Sequence, residues 1–170
     1  MVNGTDVEYY KYEPVLKHLS SWGFIVAGND DPSTSDGVSV INILKYILDL
    51  NNSSTSIFYN KVYINKIWLS GHSQEGCGVF NALTKHVEFS KYFNCAFASS
   101  PATKSLIEKF KLEPFKYEPE MVNIPIMIVT SEGKWDQSIC PFDEAKENYE
   151  KIKNVKKVLG CRKILTMEIC

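Results

Sequence analysis

The sequence predicts an α/β fold in which a mostly parallel β-sheet carries helices on both faces. Short apolar runs rich in β-branched residues alternate with amphipathic segments of helical length, the pattern of right-handed βαβ units. Of the 170 residues, 44% are hydrophobic and 12% aromatic, which is enough for a core and argues against disorder. We therefore expect a single domain spanning residues 1–170.

Helices are predicted where apolar residues recur every three or four positions. In the first, Val15, Leu19 and Trp22 share one face, and Gly23 ends the helix. A second amphipathic helix follows a polar turn, and a third begins directly after a buried strand. The predicted helices lie at residues 12–22, 38–48, 74–87 and 142–153.

Strands are predicted at the short apolar runs between these helices. The clearest is IPIMIVTSE, which is apolar almost throughout, as expected of a strand covered on both faces. The predicted strands lie at residues 24–28, 67–69, 95–100, 124–132 and 156–165. Reactive groups of such sheets collect beyond the carboxyl ends of the strands, which here are the segments 71–73, 99–102 and 131–136.

Charge and apolar run length exclude several classes of partner. The net charge is −1 with both signs interspersed, so no nucleic-acid or membrane partner is expected. The apolar runs are far shorter than the ~20 residues of a spanning helix. Residues 1–5 have neither the basic nor the apolar part of a signal peptide, so the chain as it stands is expected in the cytoplasm. The location of a full-length protein stays open.

The five cysteines form no C-x-x-C pair and no metal-binding spacing. Their simplest interpretation is as reduced, buried thiols. We expect no metal and no organic cofactor.

The stretch KIWLSGHSQEGCGVFNAL, residues 66–83, combines a strand, a sharp turn and a helix. A strand that turns at once into a helix places one residue in a strained conformation at the apex, and that residue needs small neighbours. The apex side chain then stands clear of the sheet beside the first N–H groups of the helix. Gly71 and Ser73 fit this nucleophile elbow. The alternative is a helix N-cap serine after a glycine turn.

The motif GHSQEG resembles the GHS-x-GG elbow of the α/β-hydrolase superfamily. Within it, the likeness is to the branch of cutinase-like polyester hydrolases, dienelactone-hydrolase-like enzymes and chlorophyllases. The resemblance covers nearly the whole chain. The stretches that carry it are MVNGTDV, YEPVLKHLSSWGFIVAGND, SSTSIFYNKVYINKIWLSGHS and IPIMIVTSEGKWDQSICP.

The resemblance implies a serine esterase mechanism. Ser73 would be the nucleophile, and the backbone N–H groups of Thr5 and Gln74 would form the oxyanion hole. Asp136 would be the acid that orients a histidine. Glu132 is the alternative acid, because the loop from Asp136 to the next proline is slightly longer than the family pattern. The expected substrate is a small-molecule or polymeric carboxylic ester.

Two departures from the family pattern affect this function. Glu75 stands where the family has glycine, and we expect it to crowd the turn and to place a negative charge near the oxyanion site. The family's histidine should follow Asp136, yet the only histidines are His18, His72 and His86. We expect His72 to point away from the serine, His86 to lie ~20 Å down the helix and His18 to lie at the surface.

The sequence therefore predicts a serine hydrolase that is impaired because its histidine is absent. The alternative is a non-catalytic or degenerate α/β-hydrolase-like protein.

The ends of the sequence suggest that the hydrolase domain is partial. MVNGT begins where the family's third strand should end, which leaves out the earlier strands. One choice of codons for residues 164–170 encodes Ile-Asp-His-Gly-Asp-Met when it is read two bases later. Since Asp-His-Gly resembles the family's histidine loop, a frameshifted or fragmentary gene is our hypothesis.

Overall fold

The computed structural model describes residues 8–28, 30–31 and 34–163. Its sheet has four strands in the order β1-β2-β3-β4, and every neighbouring pair is parallel. The strands are β1 (Ile67–His72), β2 (Phe93–Ser99), β3 (Ile126–Ser131) and β4 (Lys157–Arg162). The α/β class with a parallel sheet is confirmed.

Helices occupy the connections between the strands, as parallel pairing requires. They are α1 (Glu13–Ser21), α2 (Val38–Asn52), α3 (Gln74–Thr84), α4 (Val87–Ser90), α5 (Lys104–Lys109), α6 (Lys134–Ile139) and α7 (Phe142–Lys151). Short 3₁₀ segments lie at Tyr9–Tyr12, Glu113–Phe115 and Pro119–Met121. All four predicted helices are present, with ends shifted by a few residues. No helix in the described part of the chain is long and apolar enough to cross a membrane.

The strand predicted at residues 24–28 is wrong, because these residues are described and form none. An apolar run becomes a strand only when its backbone pairs with a neighbour. Here the contact with the sheet is made by side chains: the Phe24 ring lies against the Trp68 ring of β1, with 4.9 Å between the centroids. Both rings stay partly exposed, at 40% and 58%.

The core is centred on α3, where every residue from Gln74 to Thr84 is buried. Phe80 and Leu83 pack among buried residues of the sheet such as Ala98 and Ile128. Each fully buried side chain of this size contributes roughly 1.5–3 kcal/mol. Because α3 is enclosed on all sides, the residue at its N-terminal end is held at a fixed place beyond β1.

A turn at residues 34–37 covers one face of α3, and its backbone lies directly against the backbone of the helix. Gly37 has φ +84°, and a Cβ added to it would lie 2.5 Å from the backbone nitrogen of Ala82. A Cβ on Gly78 would lie 2.4 Å from the carbonyl oxygen of Thr34. Glycine at both positions lets the turn approach the helix closely.

The expectation of buried cysteines is met in part. Cys77 and Cys140 are buried, Cys95 is half-buried and Cys161 is exposed, and these four described cysteines are free thiols. Burial raises the pKa of Cys140 to about 12, so its thiol stays protonated at neutral pH.

Candidate active site

Ser73 lies at the junction of β1 and α3 with φ 57° and ψ −119°. A positive φ is uncommon for a residue other than glycine and marks backbone strain held by the surrounding structure. Two backbone hydrogen bonds hold it: the Ser73 N–H donates to the Ser99 carbonyl at 2.8 Å, and the Gly76 N–H donates to the Ser73 carbonyl at 2.8 Å. Ser73 is therefore the apex of a strained strand-to-helix turn.

The residues around the apex must be small because the backbone segments there lie very close together. A Cβ on Gly71 would lie 2.3 Å from the carbonyl oxygen of Glu75, and a Cβ on Gly76 would lie 2.7 Å from the Cα of Pro101. The strand end and the first helical turn therefore touch with no space for side chains. The side chain of Ser73 is half-buried and makes no hydrogen bond among the described residues.

Gln74 is the first residue of α3, so its backbone N–H belongs to the positive end of the helix dipole. This is the place where an oxyanion donor is expected beside Ser73. Thr5, the other predicted donor, lies outside the described residues.

Asp136 lies in the first turn of α6, beyond the end of β3, and is half-buried. Its carboxylate accepts a hydrogen bond from the Ser131 hydroxyl at the last position of β3. Glu132 is exposed, and its backbone N–H donates to the Arg162 carbonyl of β4 at 3.0 Å. The side chain of Asp136 is thus anchored to the carboxyl edge of the sheet. Glu132 is anchored there by its backbone alone.

His72, the last residue of β1, is half-buried, and its Nδ1 lies 3.0 Å from the hydroxyl of Tyr12. Burial lowers the pKa of His72, and the negative charge of Asp136 opposes this shift without cancelling it. His72 is therefore mostly neutral at neutral pH. His72 ends β1 and Asp136 follows β3, so both residues lie at the carboxyl edge of the sheet, on strands that are separated by β2.

The other two histidines lie away from the elbow. His18 is exposed, as expected, and its ring lies 6.0 Å from that of Trp22. His86 follows the far end of α3, where its Nε2 lies 3.3 Å from the carbonyl oxygen of Asp36. In the described ranges no group of three or more His, Cys, Asp or Glu side chains could hold a metal ion.

No family model and no curated protein matches the chain. Among solved structures, it is similar to the uncomplexed acylaminoacyl peptidase of Pyrococcus horikoshii, with a TM-score of 0.54 and 16% identity. The match covers 77% of this chain and 24% of the peptidase, whose fold is that of the α/β-hydrolases. The chain has the α/β-hydrolase fold. At this identity the likeness defines the fold alone.

Within this α/β-hydrolase fold, the charge of Glu75 differs from what the sequence suggested. Its side chain is fully buried, and neither carboxyl oxygen has a hydrogen-bond partner among the described residues. Burial, assisted by the charges of Asp31 and Asp36, raises its pKa to about 9. The expected negative charge beside the elbow is therefore wrong at neutral pH, where the carboxyl is protonated.

The structure also shows how the turn accommodates Glu75, which was expected to crowd it. Its side chain lies along α3 toward Gly78, where a Cβ would come 3.2 Å from Oε2. α3 begins at Gln74 as a regular helix. A glutamate is thus compatible with the elbow because a glycine one turn later leaves space for its carboxyl.

Sequence reasoning missed two groups at the site, Tyr12 and Ser131. Tyr12 ends a 3₁₀ segment 60 positions before His72, and Ser131 is five positions before Asp136. No local motif marks Tyr12, because its contact with His72 depends on where the 3₁₀ segment lies in the folded chain. Ser131 could have been found, since it begins the segment 131–136, which was expected to carry reactive groups beyond the strand predicted at residues 124–132.

Proposed function

We propose that the chain carries the nucleophile and acid of a serine hydrolase that cleaves carboxylic esters through an acyl-enzyme. The observation that supports this most directly is the strained backbone of Ser73 between β1 and α3. In the proposed reaction the Ser73 hydroxyl attacks the ester carbonyl and the alcohol leaves. Water then releases the acid from the acyl-serine.

The electrostatics of the elbow favour this reaction. The developing oxyanion would accept a hydrogen bond from the Gln74 N–H at the positive end of α3. Glu75 is neutral at neutral pH, so it does not oppose the negative charge. Thr5 would be the second donor.

The proton of Ser73 needs a base that the 170 residues do not supply in the expected place, because no histidine follows Asp136. Asp136 would orient such a histidine, and its anchoring by Ser131 favours it over Glu132 for this role. Without the base, the chain should keep only the share of rate enhancement that binding and the oxyanion hole provide, on the order of 10³–10⁴ over water.

The narrower resemblance to cutinase-like, dienelactone-hydrolase-like and chlorophyllase-like enzymes favours esters as substrates. The structural neighbour is named as an acylaminoacyl peptidase. Acylated amino-acid amides are therefore a second substrate class for any assay.

A non-catalytic role is the second candidate. It is favoured by the pairing of His72 with Tyr12, which engages the one histidine adjacent to the serine. A chain that retains the elbow without a base would then serve as a folded remnant or binding protein.

Chemical rescue tests the two candidates. Imidazole added in solution can act as the missing base, so p-nitrophenyl acetate hydrolysis by the chain should rise with imidazole beyond that of imidazole alone. Ser73→Ala should abolish this increment, whereas Ser20→Ala, which removes an exposed hydroxyl of α1, should not. A fluorophosphonate probe with imidazole should label the wild-type chain and not Ser73→Ala. If neither signal depends on Ser73, the chain is not a hydrolase.

A further inference from the structure

A cavity of ≈ 410 Å³ lies at the opposite end of α3 from the elbow. Its walls come from the end of α3, from α5 and the segment that follows it, and from the last turn of α7. Thr84 and Lys85 at this end are roughly 16–18 Å along the helix from Ser73, at 1.5 Å per residue. The cavity is thus separate from the candidate active site, and its volume is that of a small-ligand site.

The floor of the cavity is apolar and well packed. Ile107 and Pro119 are buried in it, and the ring of Tyr117 stacks on Phe80 with 4.4 Å between centroids and 12° between planes. The hydroxyl of Tyr117 donates to the Ala102 carbonyl at 3.1 Å. Burial raises the pKa of Tyr117 well above its ordinary value, so the hydroxyl stays neutral and keeps this bond.

One polar side chain is held in place between floor and rim. The Asn148 amide donates to the Tyr117 hydroxyl at 2.9 Å. An amide nitrogen carries two N–H donors, and this bond uses one of them. Asn148 also lines the cavity, so its second N–H is a donor that a ligand there can use.

The rim carries more positive than negative charge. Four lysines and two glutamates line the cavity. Lys104 pairs with Glu108 at 3.7 Å, and Lys116 pairs with Glu113 at 2.8 Å. Lys85 and Lys151 form no ion pair within the part of the chain that the structure describes. These two ammonium groups, from α3's end and from α7, are available to a ligand.

We propose that this cavity binds a small organic anion with an apolar body, whose charged group lies between Lys85, Lys151 and the Asn148 amide. The apolar body would cover Ile107 and the Tyr117 ring. The charged group can be a carboxylate, a phosphate or a sulfate, because each accepts hydrogen bonds from ammonium and amide donors. Binding does not depend on Ser73.

Phenyl phosphate is the probe, with phenol as its neutral counterpart and inorganic phosphate as its headgroup alone. Titration at low salt is followed by ¹⁵N NMR, in which the side-chain amide of Asn148 reports directly on the site. Phenyl phosphate should bind saturably and shift this amide. Phenol and inorganic phosphate should each bind at least about tenfold more weakly, since each lacks one half of the recognition.

Matched charge variants locate the site. Lys85→Glu with Lys151→Glu should weaken phenyl phosphate binding by about tenfold or more, since two attractive exposed charges become repulsive. Lys61→Glu with Lys66→Glu changes net charge equally in the exposed loop before β1 and should change affinity less than about threefold. Glu118→Gln should strengthen binding a few-fold, because it removes an opposing charge from the rim.

The proposal is overturned if phenyl phosphate does not saturate, if phenol binds equally well, or if both lysine pairs weaken binding alike. Retained NMR spectra establish that the variants are folded. Should the reversed pair unfold, Lys85→Ala with Lys151→Ala must still weaken binding. Ser73→Ala should bind phenyl phosphate like the wild type, so failure of this site and failure of the proposed hydrolase can be told apart.

Discussion

The two ends of α3 are built in different ways. At the N-terminal end, the backbone of Gly71 packs against that of Glu75 and the backbone of Gly76 against that of Pro101, and neither contact leaves space for a single added carbon. At the C-terminal end, Lys85 is exposed and borders a cavity with charged side chains on its rim. The first end relies on close packing, which tolerates no change in volume. The second relies on charge in contact with water, which tolerates substitution but responds to salt.

The largest effect should come from adding a methyl group at the packed end. Gly71→Ala places a Cβ 2.3 Å from the Glu75 carbonyl oxygen, so the strand and helix must separate. We expect a loss of about 3 kcal/mol or more in the free energy of unfolding, measured by urea denaturation.

Gly160→Ala in β4 is its control, because its nearest contact would be an ordinary 3.4 Å to a Val129 methyl. We expect a change below about 1 kcal/mol for this variant. Equal losses in the two variants would contradict the claim that the elbow is packed without space.

The next effect concerns the protonation of Glu75. Its pKa is about 9 in the folded chain, above its ordinary value of 4.5. Between about pH 4.5 and pH 9, Glu75 keeps its proton in the folded state and has lost it in the unfolded state. The contribution of Glu75 to stability should therefore be greatest below about pH 4.5, fall by up to about 1.4 kcal/mol per pH unit as pH rises, and level off above about pH 9.

Glu75→Gln keeps the shape of the side chain and removes this titration. Urea unfolding of both proteins at several pH values should show a smaller loss of stability with rising pH in the variant. Parallel pH profiles would mean that Glu75 is ionised in the folded chain and has a partner.

A smaller effect is expected at the cavity floor. Tyr117→Phe removes the hydroxyl that donates to the Ala102 carbonyl and accepts from the Asn148 amide. The Ala102 carbonyl then keeps only the weak hydrogen bond from the Cys77 thiol at 3.5 Å. The expected loss is about 1–2 kcal/mol in the free energy of unfolding. Tyr63→Phe, at a tyrosine that is 80% exposed, should change it by less than about 0.5 kcal/mol. If the two variants lose the same amount, the floor is not held by that hydroxyl.

The smallest effect on stability should come from the rim. Lys85→Glu with Lys151→Glu should change the free energy of unfolding by about 0.5 kcal/mol or less per residue at moderate salt, because both side chains are exposed. Thermal unfolding at low and high salt checks this. A large, salt-independent loss would show that these lysines support the fold, and the contrast between the two ends of α3 would fail.

Much of the fold was predictable from local patterns. The four strands of the sheet and the four main helices follow from the spacing of apolar residues, because burial on one face or two leaves a period in the sequence. Ser73 was also predictable as an apex, since a glycine-flanked serine between an apolar strand and an amphipathic helix has few other structures available. The run at residues 24–28 shows the limit of this reasoning, because its composition indicates burial but not which backbone would pair with it.

The sequence by itself therefore determined the parallel α/β architecture, the elbow and the absence of any histidine after Asp136. Only the tertiary structure decided the charge of Glu75, the pairing of His72 with Tyr12, the anchoring of Asp136 by Ser131 and the cavity at Lys85 and Lys151. The physical reason is the range of the interactions. Apolar periodicity is set by neighbours along one element, whereas desolvation and hydrogen bonding depend on groups that lie far apart in the chain.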